Sequence, residues 1–310
     1  MGCPLPLAAA APGILLSWSQ MKSRVTNDAA KGLVLVLLVA LPAIAFAQFV
    51  PQINPSIDAK PAAGGIEIDG RLDDEGWRGA SKVSGFSETF PGDNTQPQVS
   101  TETFLTYDND NLYVAFICHD DPATIRATLC QRDQFYNDDS VGVLIDTYGE
   151  AQWAYEFFVN PYGIQKDLMF TNVHGEDRGF DMIWHSAAEI TEDGYVVEIA
   201  IPYSGMRFPA AEVQNWNLNF YRERPRASDY QYSWASLDRN DQCRLCQWGH
   251  LNGLQGISAG KGLEFLPSMI AYQNSSINNT LDSHTGLNVQ DIKGEASLGA
   301  KFSLNSDATL

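Results

Sequence analysis

The chain has 310 residues, 44% hydrophobic and 11% aromatic, so it holds enough apolar surface for one large domain or for one domain with an accessory piece. That content excludes a disordered polymer. A net charge of -18 sets up a field that repels phosphate backbones, which argues against nucleic acid as a partner and leaves neutral polymers and cations open.

The first element reads as a targeting segment. Lys22, Arg24 and Lys31 make a positive region, GLVLVLLVALPAIAF is apolar, and Ala45-Phe46-Ala47 supplies a small-x-small site, so cleavage before Gln48 is expected, with Met21 as a second candidate start. Residues 1–47 are therefore read as a signal peptide. An uncleaved anchor is the rival reading, although the apolar run is short for a membrane span. Export in turn favours disulfides for the four cysteines that survive processing, Cys118, Cys130, Cys243 and Cys246. CRLC followed by His250 also has the residue types of a zinc site, but no fourth ligand stands at a matching spacing, and a disulfide is preferred. Cys118 and Cys130 flank HDDPATIRATL and are candidates to pair, while sequence alone allows three connectivities.

IEIDGRLDDEGW, from Ile66 to Trp77, reads as a short strand, an Asp69-Gly70 turn, one acidic helical turn and a tryptophan that plugs a core while the acids face water. Alternating runs of strand length then follow one another. TETFLTY and NLYVAFICHD meet across Asp108-Asn109-Asp110-Asn111, and SVGVLIDT comes next. AQWAYEFFVNP turns through Asn160-Pro161-Tyr162-Gly163 into IQKDLMF, WHSAAEI and YVVEIAIP flank Thr191 to Gly194, and WNLNFYRE and YQYSWASL complete the set. Only PATIRATL and the stretch from Tyr203 to Phe208 read as helical. The expected fold is all-β, an antiparallel β-sandwich of immunoglobulin-like or jelly-roll-like form.

The character changes near Gly256. LEFLPSMIAY and GEASLGAKFSL alternate strictly, with Ala296, Leu298, Ala300, Phe302 and Leu304 on one face. Two-sided strands of this kind suit a membrane barrel, and an edge hairpin of the sandwich is the plainer alternative. The expected organisation is a signal peptide at 1–47, a sandwich at 55–256 and, at 257–310, the first strands of an incomplete outer-membrane-type β-barrel.

Six segments in order, IDGRLDDEGW, YDNDNLYVAFICHDD, DDSVGVLIDT, FFVNPYGIQKD, EDGYVVEIAIPYSGMRF and WGHLNGLQGI, together resemble the family 9 carbohydrate-binding module. The closer resemblance is to the version at the N-terminus of a poorly characterised family of predicted outer-membrane proteins, with KGLEFLPSMIAY as the opening strand of a barrel. The resemblance covers about Pro55 to Gly256. It implies a sugar held between aromatic rings, with carboxylates and amides on its hydroxyls. The position of one clamping tryptophan falls on Tyr136. The family's sugar-binding acid falls on Gly142, its arginine on Phe158, and its second clamp near Gln242 and Cys243, where no aromatic stands. Trp153, Tyr155, Trp184 and Trp234 are the candidates to rebuild a platform, with a core position at strand spacing as the alternative for each.

Three functions compete. The first is an exported glycan-binding domain associated with carbohydrate catabolism, in the periplasm or outer membrane of a Gram-negative bacterium. The second is a structural or plug domain of a barrel without sugar binding. The third is a glycoside-hydrolase-associated enzyme, for which the sequence offers neither G-x-S-x-G nor H-E-x-x-H, and for which an adjacent pair such as Asp138-Asp139 is no argument. A structural calcium is a separate expectation, with Asp138, Asp139, Asp108 and Asp110 as its candidate oxygen ligands.

Overall fold

The computed structural model describes residues 49–258, 263–277, 286–305 and 308–309; the signal segment and its cleavage site lie outside the described residues. Nineteen strands are described. In the first part they are β1 (Ser56–Asp58), β2 (Ser81–Val83), β3 (Ser87–Phe90), β4 (Thr101–Tyr107), β5 (Asn111–His119), β6 (Ser140–Asp146) and β7 (Trp153–Val159). They continue as β8 (Gln165–Thr171), β9 (Gly175–Asp177), β10 (His185–Thr191), β11 (Gly194–Pro202), β12 (Val213–Pro225), β13 (Asp229–Ser233) and β14 (Gly249–Gln255). Beyond these come β15 (Leu263–Tyr272), β16 (Ser275–Ile277), β17 (Leu287–Val289), β18 (Lys293–Asn305) and β19 (Ala308–Thr309).

Two sheets make the sandwich. One runs β1-β14-β12-β6-β7-β8-β9, with β13 on β12 and β3 on β13; the other runs β10-β11-β5-β4-β2. Pairing is antiparallel throughout except β1 with β14. The alternation of the sequence decides which side chains meet. Val141, Val143 and Ile145 of β6 and Tyr155, Phe157 and Val159 of β7 face Val114 and Phe116 of β5 and Val197 and Ile199 of β11 in the main core.

The turn chemistry works as the sequence suggests. Asp108 Oδ1 accepts the amides of Asp110 and Asn111 between β4 and β5, and Asn160 Oδ1 accepts those of Tyr162 and Ile164 between β7 and β8. Gly194 closes the β10–β11 hairpin at φ 141°, where a Cβ would stand 1.9 Å from the carbonyl oxygen of Cys118, so only glycine fits.

The outer faces of both sheets are also covered. Residues 66–80 lie over the five-stranded sheet, where Trp77, Ile66, Ile68 and Leu72 pack with Tyr113, Ala115 and Ala200. Here the strand expected at Ile66 to Ile68 is absent, because its backbone pairs with side chains: Glu67 donates to Asp74, and Asp69, Gly70 and Arg71 donate to Glu198. The helical expectations shrink as well. PATIRATL forms one 3-10 turn at Pro122–Thr124, capped by Asp121, and the stretch after Tyr203 forms one at Tyr203–Gly205.

Among the described residues, strands β15 to β19 pair among themselves in three-stranded and two-stranded sheets and form no closed barrel. In the β15–β18 hairpin Phe265, Pro267 and Met269 share one face with Leu298 and Ala296, while Ser268, Ser297, Tyr272 and Glu295 share the other, linked by Ser268–Ser297 and Tyr272–Glu295 hydrogen bonds.

Candidate functional site

The larger sheet carries a cavity of about 390 Å³ on the face turned away from the main core. Its floor follows from strand register. Lys166, Phe158, Gly142 and Tyr221 form one cross-strand row, and Leu168, Glu156, Leu144 and Asn219 form the next. Two loops wall it. The β5–β6 connection brings Asp133, Gln134 and Tyr136, and the β13–β14 connection brings Leu237, Arg244 and Trp248; Phe135, Leu144, Ala154, Phe158, Leu168, Leu245 and Trp248 form a second apolar cluster beside them.

The second loop is held in place by the Cys243–Cys246 disulfide, with Cα atoms 5.4 Å apart, and by Asn172, which accepts the Arg244 amide and donates to the Ala151 carbonyl. The disulfide reading of CRLC therefore describes this loop, and His250 pairs with Asn217. Cys118 and Cys130 are free thiols, a correction to their candidate pairing: Cys118 is packed in the main core and Cys130 against the second cluster.

Of the expected aromatic residues, the cavity takes only Tyr136. Its ring is 59% exposed on the rim, with the Arg178 guanidinium 5.9 Å from its centroid. Trp153, Tyr155, Trp184 and Trp234 do not build a platform, and that expectation is corrected. Tyr155 stacks beside Phe157 and accepts the Arg207 amide, Trp153 packs edge-on against Tyr155, Trp184 packs edge-on against Phe157, and Trp234 packs against Phe220. All four lie in or against the main core. Both faces of β7 are covered, so alternation cannot say which of its faces is the outer one.

The positions matching the family's acid and arginine are also explained. The Phe158 ring leans over Gly142, where a Cβ would stand 2.6 Å from two of its ring carbons, so neither position offers a polar group to a ligand. Polar groups instead enter from neighbouring positions that sequence reasoning did not single out. Glu156 is 1% exposed, and its Oε1 is buried without a hydrogen-bond partner. Burial pushes its carboxyl up to about 7, against the opposing pull of Arg244 and Lys166. Trp248 is 2% exposed, and its Nε1 is likewise buried without a partner. Lys166 sits 4.6 and 4.9 Å from the ring centroids of Phe135 and Phe158, and Arg244 sits 5.0 Å from that of Phe170. Burial also raises the Glu223 carboxyl. Asp167 is already engaged by Arg132 and the Met182 amide, and Glu176 by Arg178. A lone glutamate in the apolar run WAYEFFV was the one signal of this floor in the sequence.

The residues proposed for calcium lie elsewhere, and the carboxylates of Asp138, Asp139 and Asp108 have protein partners. Asp138 accepts the amide and hydroxyl of Thr128 and the amide group of Asn160; Asp139 accepts the Arg126 amide and both terminal nitrogens of Arg226. Asp108 accepts two turn amides and the Tyr113 hydroxyl, and Asp110 is exposed in that turn. Among the described residues no group of three or more His, Cys, Asp or Glu is placed to hold a metal ion.

Residues 68–222, half of the chain, match the family described as carbohydrate family 9 binding domain-like. The chain belongs to that family. The walls and floor of the cavity are thus built largely from the matched strands of a family 9 domain, with the disulfide loop added from beyond the match. Among solved structures, a protein of Bacteroides uniformis ATCC 8492 described as a candidate carbohydrate-binding protein is similar at 12% identity and a TM-score of 0.52, over 64% of this chain and 98% of that one. It supports the sandwich fold. Two structures of a family 9 module from Caldicellulosiruptor kristjanssonii also align. The one with glucose has 17% identity over 66% of this chain and 96% of that one, and the one with cellotriose has 16% identity over 67% and 94%; both have a TM-score of 0.46. No curated protein matches the chain.

Proposed function

We propose that this family 9 domain binds a glycan or oligosaccharide in the cavity on the outer face of its larger sheet, with Tyr136 stacking on the sugar at the rim. The observation that carries this reading is the cavity itself: about 390 Å³, lined mostly by polar and charged side chains such as Gln134, Glu156, Lys166, Asn219 and Glu223 with the rings of Tyr136, Phe158, Tyr221 and Trp248 among them, on a domain of a carbohydrate-binding family. Sugars match such a surface because their CH faces pack on rings while their hydroxyls need hydrogen-bond partners.

Export to the periplasm or outer membrane, and service to carbohydrate catabolism, belong to the same proposal. The targeting pattern at 1–47 supports export, and the two-sided β15–β18 hairpin, with Phe265, Met269 and Leu298 exposed on one face, supports an outer-membrane setting. Glycan-array screening of the purified protein tests the binding reading. Saturable binding to at least one oligosaccharide is expected; a blank array would favour a structural role for the domain.

A further inference from the structure

Glu156 and Trp248 both line the cavity, and each carries a buried polar atom without a hydrogen-bond partner, one an acceptor and one a donor. A buried carboxyl oxygen without a donor and a buried indole N–H without an acceptor are each costly, and folded proteins rarely leave such groups unmatched without a reason. Neither belongs to the positions where the family's acid and arginine fall, Gly142 and Phe158, which the Phe158 ring closes off.

We propose that Glu156 Oε1 and Trp248 Nε1 are the recognition pair of the site, the carboxyl accepting from and the indole donating to hydroxyl groups of the bound sugar. This rests on the glycan reading above and gives it a ligand chemistry. Satisfying both groups requires a ligand that donates and accepts. An ammonium only donates, which leaves the indole unpaired, and an ionised carboxylate only accepts, which leaves an ionised Glu156 facing a like charge. A hydroxyl does both. Around the carboxyl the cavity is lined by Asp133, Asp167, Glu176 and Glu223 and by Lys166, Arg178 and Arg244, so charges of both signs surround the pair. The pair thus calls for a ligand that presents hydroxyl groups, as a sugar does. Position supports the assignment as well, since Glu156 lies on the central floor strand and Trp248 ends the loop that the Cys243–Cys246 disulfide holds over it.

The test uses the purified protein and printed neutral, aminated and uronate-containing oligosaccharides, followed by calorimetric titration of the best-bound sugar. Glu156→Leu replaces the carboxyl by an apolar side chain among Leu144, Phe158 and Leu168; it should raise the melting temperature above pH 7 and weaken sugar binding at least tenfold. A purely structural glutamate would not move those two readouts in opposite directions. Trp248→Phe keeps an aromatic ring and removes one N–H, and should weaken binding at least fivefold with the circular dichroism unchanged. If sugars bind and both variants keep wild-type affinity, the recognition pair is wrong while the glycan reading stands. If no sugar binds the wild type, both fall.

Discussion

The indole Nε1 of Trp77 donates a 2.7 Å hydrogen bond to Oε1 of Glu198, whose other oxygen accepts the amides of Asp69, Gly70 and Arg71. One buried carboxyl from β11 thus organises the whole IDGRLDDEGW stretch, and the tryptophan is both its plug and its donor. Trp77→Phe should keep most of the packing and strand Oε1 of Glu198 in a buried site. The expected cost is about 1–3 kcal/mol, the range for a buried polar group left unsatisfied. Chemical denaturation measures it. Because this face belongs to the smaller sheet, glycan affinity should not change; a stability equal to wild type would show that water satisfies the carboxyl instead.

A second expectation concerns pH. The Glu156 carboxyl is held from its ordinary 4.5 up to about 7 by burial. Below the lower value it is protonated whether the chain is folded or not, and it contributes nothing. Between the two values the unfolded chain releases the proton while the folded one keeps it, so stability falls as pH rises, and above about 7 the full penalty is present. Glu156→Gln should therefore be nearly neutral at pH 4 and stabilising at pH 8, by up to about 3 kcal/mol on the usual conversion of 1.36 kcal/mol per unit. Denaturant midpoints of the two proteins across this range test it. A stability difference that stays flat with pH would mean that solvent reaches the carboxyl.

How much of this was legible in the sequence depends on the range of the interactions. Strands such as TETFLTY and SVGVLID show because alternation is local and the turns between them carry their own Asp, Asn and Gly chemistry. Ile66 to Ile68 misleads because Glu198, about 130 residues away, takes the amides of the turn that follows. Trp184 and Trp234 could not be told from a surface platform, since period two separates faces without naming the buried one and here both faces are covered. Tyr136 was found through family resemblance alone. Glu156 reads as an outward, solvated residue until the loop at Cys243–Cys246 closes over it from nearly 90 residues further along the chain.

Asp139, one of the four acids proposed for calcium, shares a cation with Asp120, which was not among them, and this leads to a third expectation. Asp120 and Asp139 are bridged by Arg226, and Asp120 also takes Arg222 and Arg224, so a protein cation already occupies the space between the two carboxylates. Arg226→Met should cost about 3–5 kcal/mol, as expected when one partner of a buried ion pair is removed. A calcium ion needs six or more oxygens, and those of Asp138 and Asp139 are engaged with Thr128, Asn160, Arg126 and Arg226. Chelator should then leave the melting temperature of the wild type unchanged. A fall of several degrees that added calcium reverses would place the ion in this protein after all.

The last expectation bears on the rim. Tyr136 is well exposed and has the Arg178 guanidinium near its ring, so little of the fold depends on it. An exposed aromatic beside a cavity with a polar floor is placed to stack on a sugar face. Stacking of this kind is worth about 1 kcal/mol, so Tyr136→Ala should weaken glycan binding roughly fivefold with little loss of stability. Tyr136→Trp should bind at least as tightly as wild type, because the larger ring offers more stacking area and is the residue that the resemblance places there. Calorimetry against the best array ligand reads both variants. Loss of folding in Tyr136→Ala, with affinity unchanged in Tyr136→Trp, would make the ring a packing residue and move the sugar away from this rim.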